Sequence, residues 1–206
     1  CRDLLPDFKP TLSKSEAAHW IKMGQRIYGG GRGYTHTCSN CGNQHGFGVE
    51  RYCPDCGIKM EINWILSTPT SKADLDYAEK QFNVTFPKEY SELVLNYNFA
   101  YAKPNCVCVN GRERVFERLL SINESDRTNI FNFSEIVSEN CGKNLIAFGS
   151  DPFGNYWCFD YNNGNDEPVI VYYDHESAFE YEDYEPQFVC SSFRELLDSI
   201  TEPQEE

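Results

Sequence analysis

The spacing of apolar positions predicts four helices in the second part of the chain. One of them has the i, i+3, i+4, i+7 pattern of an amphipathic helix, and Pro87 suits its first turn. The other three have apolar residues at the same period. In chain order, the apolar positions are Leu75, Ala78 and Phe82; Tyr90, Leu93, Val94 and Tyr97; Phe133, Ile136 and Val137; and Phe193, Leu196, Leu197 and Ile200.

Residues suited to helix caps indicate where the last two of these helices begin and end. Asn132 with Glu135 has the spacing of a capping box, and so has Ser192 with Glu195. Gly142 suits the left-handed residue that commonly follows a helix. We therefore expect the third helix to start at Asn132 and stop at Gly142, and the fourth to start after Ser192.

Three short runs between these two helices are rich in aromatic and β-branched residues and predict strands. They are Leu145 to Gly149, Tyr156 to Asp160 and Val169 to Tyr173. Residues 151–154 and 162–165 contain the proline, glycine and asparagine typical of tight turns, so neighbouring strands should be antiparallel. The pattern predicts an α+β domain, with a mostly antiparallel sheet and flanking helices.

The first 66 residues have a different organisation. We expect a short helix from Glu16 to Ile27, a flexible glycine-rich joint at 29–33 and then a small metal-stapled module. Residues 67–71 are small and polar with a proline, which is typical of a linker. The predicted division is therefore 1–66, a linker at 67–71, a domain at 72–200 and an acidic tail at 201–206.

Two CxxC pairs, each followed by glycine, predict a metal site in the first part of the chain. Such turns direct both sulfurs to one point, and two of them make a tetrahedral thiolate shell suited to zinc. Because four cysteines fill that shell, we expect a structural zinc ion rather than a catalytic one. Two disulfides, a redox pair and an iron site are the alternatives. The predicted ligands are Cys38, Cys41, Cys53 and Cys56.

Charge is unevenly distributed along the chain, which has a net charge of −14. The first 66 residues hold 8 basic and 6 acidic side chains, which leaves 10 basic and 26 acidic ones for the rest. A strongly acidic surface repels phosphate backbones and attracts basic proteins. Nucleic-acid binding is therefore not expected of residues 72–200, although the cysteine-rich part could still bind it.

Six carboxylates and three aromatic rings, with no basic side chain, lie between Asp174 and Glu185, a stretch that we call the acidic segment. Carboxylates can imitate the phosphates that a nuclease binds, and tyrosine supplies large rigid contact area. A solvated acidic loop is the alternative interpretation. The predicted partner-binding residues are Asp174, Glu176, Glu180, Tyr181, Glu182, Asp183, Tyr184 and Glu185, with Trp157 on a neighbouring strand as support.

Two stretches resemble known families. CSNCG and RYCPDCGIKM, within residues 34–62, resemble the small zinc ribbons of bacterial, phage and mobile-element proteins. AEKQFNVTFPKEYSELVLNYN, LIAFGSDPFGNYWCFDY and SSFRELL, within residues 72–200, resemble the SUKH superfamily of bacterial immunity proteins and yeast cell-wall assembly regulators. Asn98-Phe99-Ala100 stands where members of that family commonly have an Asn-Gly pair, a departure that concerns the local turn and not the fold.

The SUKH resemblance implies a non-catalytic binding protein. We expect it to neutralise a basic toxin or effector by protein contact. The alternative is an adaptor whose zinc ribbon binds nucleic acid or a protein complex, with the acidic domain as a regulatory scaffold. Because the sequence has no run of eighteen apolar residues and no visible signal peptide, we expect a cytoplasmic protein with no membrane span.

Overall fold

The chain folds into two compact units, residues 1–61 and 62–206. The computed structural model describes residues 62–162, 164 and 167–203, and of the first unit only the backbone of 20–28, 31–38 and 44–45.

The described part of the first unit is a small antiparallel sheet of three strands in the order β1-β2-β3. The predicted helix from Glu16 to Ile27 is wrong, because this stretch contributes to a strand. Trp20, Ile21 and Ile27 favour extended backbone, and Gly24 costs a helix about 1 kcal/mol relative to alanine. The strands are β1 (Trp20–Tyr28), β2 (Gly31–Cys38) and β3 (Gln44–His45).

Strands β1 and β2 pair along their whole length. Tyr28 pairs with Gly31, and the antiparallel register runs back to Trp20 opposite Cys38. The expected flexible joint at 29–33 is contradicted at Gly31, Arg32 and Gly33, which belong to β2, and residues 29 and 30 lie outside the described residues.

The second unit is built on a seven-stranded antiparallel sheet with the order β12-β11-β10-β9-β8-β5-β4. A separate hairpin pairs β6 with β7. The last two predicted strands have the predicted bounds, and the first is one residue longer. The strands are β4 (Asn63–Ile65), β5 (Tyr101–Lys103), β6 (Cys106–Val109), β7 (Arg112–Val115), β8 (Arg118–Leu119), β9 (Leu145–Ser150), β10 (Tyr156–Asp160), β11 (Val169–Tyr173) and β12 (Gln187–Cys190).

Five helices accompany this sheet, and four of them are the predicted ones. The fifth, α4, lies inside the acidic segment. The α+β class with an antiparallel sheet is confirmed. The helices are α1 (Lys72–Phe82), α2 (Lys88–Tyr97), α3 (Ile130–Cys141), α4 (His175–Glu180) and α5 (Phe193–Ser199).

The two faces of the sheet are covered by different helices. On one face, the buried ring of Tyr90 from α2 lies 5.0 Å from Phe159 of β10 and 5.4 Å from Phe193 of α5. On the other face, Phe133 of α3 lies 4.9 Å from Tyr156 of β10. Strand residues therefore alternate between an α2–α5 face and an α3 face.

The start of α3 lies one turn earlier than expected. Asn129 is the N-cap, and its side chain accepts a 2.8 Å hydrogen bond from the backbone N–H of Asn132. Burial of Ile130 favours this extension, because it adds an apolar residue to the helix face that meets the sheet. The predicted end of α3 is confirmed at Gly142, which has a positive φ of 91°. The predicted start of α5 is confirmed at Ser192, whose side chain accepts from the N–H of Glu195 at 3.1 Å.

Residues 62–71 belong to the second unit rather than to a linker. Strand β4 pairs with β5 at the edge of the large sheet, so the predicted boundary after Leu66 lies inside this unit. Within the expected linker, the N–H of Thr68 donates to the carbonyl of Asn98 at 2.8 Å, and Thr70 Oγ1 donates to Asn123 Oδ1 at 2.7 Å.

The turn after α2 contains Asn98 and Phe99, which stand where the related family commonly has Asn-Gly. Asn98 is fully buried, and its Nδ2 donates to Thr68 Oγ1 at 3.0 Å and to Ser121 Oγ at 3.1 Å. Its Oδ1 accepts from the N–H of Ile122 at 2.9 Å. Phe99 has a positive φ of 62°, a backbone conformation in which glycine is the usual residue.

Candidate functional site

The acidic segment connects β11 to the edge strand β12, and its two ends are tied to the sheet. At the first end, Asp174 is the N-cap of α4, where its Oδ1 accepts from the N–H of Ser177 at 3.0 Å. The same carboxylate lies 3.8 Å from Nη2 of Arg114 on β7. Asp174 therefore serves the local structure, and it contributes less to an outer contact surface than predicted.

Tyr184 ties down the second end. Its hydroxyl accepts a 2.7 Å hydrogen bond from the backbone N–H of Asp174, and its ring packs at 90° against Tyr173 with 5.7 Å between the centroids. Burial raises the pKa of Tyr184 well above its ordinary value. This predicted contact residue is thus half-buried and holds the segment against the α3 face.

The adjacent β9–β10 turn also holds the start of α4. Oδ1 of the buried Asn155 accepts from the backbone N–H of His175 at 3.0 Å and lies 2.9 Å from His175 Nδ1. The beginning of α4 is therefore joined both to the β9–β10 turn of the large sheet and to β7 of the separate hairpin. This gives the acidic segment a defined backbone position.

The remaining predicted residues of the segment are exposed, as partner-binding residues must be. One of them is an aromatic residue, Tyr181, which is 58% exposed, and a second ring of the segment, Phe179, is 95% exposed. Phe179 was noticed in the sequence but not predicted as a contact residue. The exposed carboxylates are Glu176, Glu180, Glu182, Asp183 and Glu185.

The structure contradicts the prediction for Trp157. It was predicted to support the binding surface, but it is fully buried on the opposite face of the sheet. Its ring packs against Tyr172 at 5.0 Å and Phe116 at 5.7 Å, and its Nε1 donates to the carbonyl of Val115 at 3.3 Å. Trp157 is therefore a core residue, because β10 is covered by other parts of the protein on both faces.

The four predicted zinc ligands belong to the first unit. Cys38 ends β2, where only its backbone is described, and Cys41, Cys53 and Cys56 lie outside the described residues. Among the residues that the structure describes, no group of three or more histidine, cysteine or acidic side chains could hold a metal ion. In the same residues, no helix is long and apolar enough to cross a membrane.

The fold and the acidic segment define an α+β domain with a carboxylate-rich surface beside its edge strand. Residues 72–197 match the SUKH_6 family, described as SMI1-KNR4 cell-wall. No curated protein matches the chain. Because the match covers more than half of the chain, the protein belongs to the SUKH family, and this membership is consistent with an immunity protein or a cell-wall regulator.

Proposed function

We propose that the protein is a non-catalytic immunity protein that binds and neutralises a basic toxin or effector. The observation that carries this proposal is the acidic segment itself, where five exposed carboxylates accompany two exposed rings, Phe179 and Tyr181. The contacts of Asp174 and Tyr184 support it, because a segment that is already ordered loses less entropy on binding than a free loop.

Charge and aromatic surface have separate roles in this proposal. The carboxylates attract a cationic partner over a long range and raise the association rate at low salt. The aromatic rings add contact area once the partner has docked, and such rings are enriched among residues that dominate binding energy. A nuclease-type toxin suits this surface, because its nucleic-acid site is basic and would be covered by the carboxylates.

The first unit has a supporting role in this proposal. We infer that a zinc ion held by the two CxxC pairs stabilises that unit, and that partner binding does not need it. A reducing cytoplasm is the proposed location, since thiolate ligands stay reduced there. The contrasting possibility is the adaptor, for which the first unit would supply the contact.

The experiment uses the full chain and the basic C-terminal domain of a polymorphic toxin encoded beside its gene. We expect a complex of defined stoichiometry that abolishes the toxin's nuclease activity. Reversing three exposed charges, with Glu180→Lys, Glu182→Lys and Asp183→Lys together, should slow association at least about tenfold at low salt and flatten its dependence on salt. Stopped-flow fluorescence at two salt concentrations measures both effects.

A matched control separates local from overall charge. Asp76→Lys, Glu92→Lys and Glu167→Lys change the net charge equally at exposed positions outside the acidic segment. This triple variant should retain most of the association rate. The proposal fails if the two triple variants behave alike, or if the toxin stays active with excess protein. Ser substitution of Cys53 and Cys56 should leave inhibition intact, whereas the adaptor requires its loss.

A further inference from the structure

An exposed aromatic residue, Phe188, lies on the edge strand β12 and faces away from the main aromatic core. It pairs with Val171 of β11, and paired residues of antiparallel strands share one face of the sheet. Val171 shares that face with Tyr173, two residues along the same strand. Phe188 is 56% exposed, whereas Val171 and Tyr173 are buried. The α3 face of the sheet therefore ends in an open apolar ring.

Helix α3 contributes a second exposed apolar side chain to the same face. Ile136, 43% exposed, lies one turn before Asn140, and residues four apart occupy the same side of a helix. Nδ2 of Asn140 donates to the hydroxyl of Tyr173 at 3.0 Å, so this side of the helix is directed toward β11. Ile136 and Phe188 thus flank β11, one from the helix and one from the next strand. We call this surface the α3–β12 face.

Carboxylates border the α3–β12 face. Glu139 is exposed and lies three residues after Ile136, next to it on the helix surface. Helix α3 has no basic residue, and Lys143 follows after its end. The exposed side chains of Glu182, Asp183 and Glu185 immediately precede β12 along the chain. This surface therefore matches a partner segment with an apolar centre and a basic border.

We propose that the α3–β12 face binds an amphipathic basic segment of the partner protein, with apolar side chains on Ile136 and Phe188 and lysine or arginine beside the carboxylates. The inference rests on the proposed function and adds its apolar anchor. A second copy of this chain is a poor occupant, because its own acidic border would meet an identical one. Removing the exposed apolar centre from water would give a favourable binding free energy, and the acidic border would favour a positively charged partner.

Two synthetic peptides of about sixteen residues test this with the full chain. Both carry the same lysines, and one has leucine at i, i+3, i+4 and i+7 where the other has glutamine. We expect the leucine peptide to bind at least about tenfold more tightly by calorimetry. Phe188→Ser should remove most of this difference and leave the Kd of the glutamine peptide unchanged, and Ile136→Ser should reduce it about threefold or more.

Phe153→Ser is the matched control, since Phe153 is an exposed ring in the β9–β10 turn and should not affect either peptide. Circular dichroism checks that each variant folds. The inference is overturned if the two peptides bind equally, or if both Phe188→Ser and Ile136→Ser keep the leucine preference. The triple charge reversal should weaken both peptides. If it weakens neither, the proposed function fails, and this outcome is distinct from loss of the leucine preference.

Discussion

The hydroxyl of Tyr172 donates a 2.6 Å hydrogen bond to Oδ2 of Asp151, and both side chains are buried. The same carboxylate accepts from the backbone N–H groups of Phe153 at 2.8 Å and Asn155 at 2.9 Å, and from Asn155 Nδ2 at 2.7 Å. One side chain thus closes the β9–β10 turn and joins it to β11. Burial, and secondly the bond to Asp151, raise the pKa of Tyr172.

This arrangement predicts a large effect of Asp151→Ala on stability. The change leaves two backbone N–H groups, the Asn155 side-chain amide and a buried hydroxyl without their acceptor, which should cost about 3 kcal/mol of unfolding free energy. Tyr172→Phe removes one bond and should cost about 1 kcal/mol. Urea titration measures both. Asp183→Ala, at an exposed position, should stay within about 0.5 kcal/mol, and a similar value for Asp151→Ala would contradict the prediction.

Stability should fall at alkaline pH through Cys190. Burial raises the pKa of this thiol from its ordinary 9.0 to about 12. The folded protein therefore keeps the proton to higher pH than the unfolded chain, so the contribution is complete below pH 9 and is lost as pH rises toward 12. The slope should reach about 1.4 kcal/mol per pH unit.

Cys190→Ala provides the control for this pH effect. Urea titrations at several pH values between 8 and 11 should give a smaller decline for the variant than for the wild type. Equal slopes in the two proteins would show that Cys190 does not cause the decline.

Two cysteines of β6 should differ in reactivity. Cys108 is exposed, whereas Cys106 is buried. Burial also raises the pKa of Cys106. A disulfide reagent at pH 8 should therefore modify Cys108 at least about tenfold faster. Peptide mapping by mass spectrometry at early times measures the ratio, and equal labelling of the native protein would refute the assignment.

Zinc content tests the cysteine pairs of the first unit. Metal analysis should find about one zinc ion per chain, and Cys53→Ser should reduce this sharply, because a tetrahedral site needs all four thiolates. Cys108→Ser is a suitable control, since this cysteine lies in the second unit. Retention of zinc by Cys53→Ser, or its absence from the wild type, would argue against the predicted shell.

The sequence predicts the second unit best where periodicity and burial agree. Strands β10 and β11 are confirmed at both ends, because continuous aromatic and β-branched runs lie between clear turns. Strands β4 to β8 were not predicted as strands. Each has only two to four residues, which is too short for an alternating pattern to stand out.

Phe188 illustrates what pattern alone does not reveal. Simple alternation would put Phe188 and Cys190 on the same face. The pairing instead shifts, so that Phe188 lies opposite Val171 and Cys190 opposite Ile170, with one extra residue between them. Such a bulge reverses the direction of the side chains that follow, which leaves Cys190 buried and Phe188 exposed.

The error at Trp157 is similar, because aromatic content does not distinguish a contact residue from a core residue.

The helix within the acidic segment left a weak signal. Asp174 is a favourable N-cap, with Ser177 three residues later. Only six residues follow in helical conformation, and none is buried, so no apolar face marks the helix. Contacts with Asn155 and Tyr184 fix the position of this helix. Asn155 is distant from the N-cap in sequence, and Tyr184 follows the helix.

The side-chain hydrogen bonds of Asn98 limit how far the chain can be truncated at its N-terminal side. A fragment trimmed to the first family-matched residue, Lys72, would lose Thr68 as a partner of this buried amide and would uncover the edge of β5. The unpaired N–H and C=O groups of an exposed strand edge can pair with another chain, so such a fragment should aggregate more readily. Expression vectors for the isolated domain should therefore start no later than Ile62.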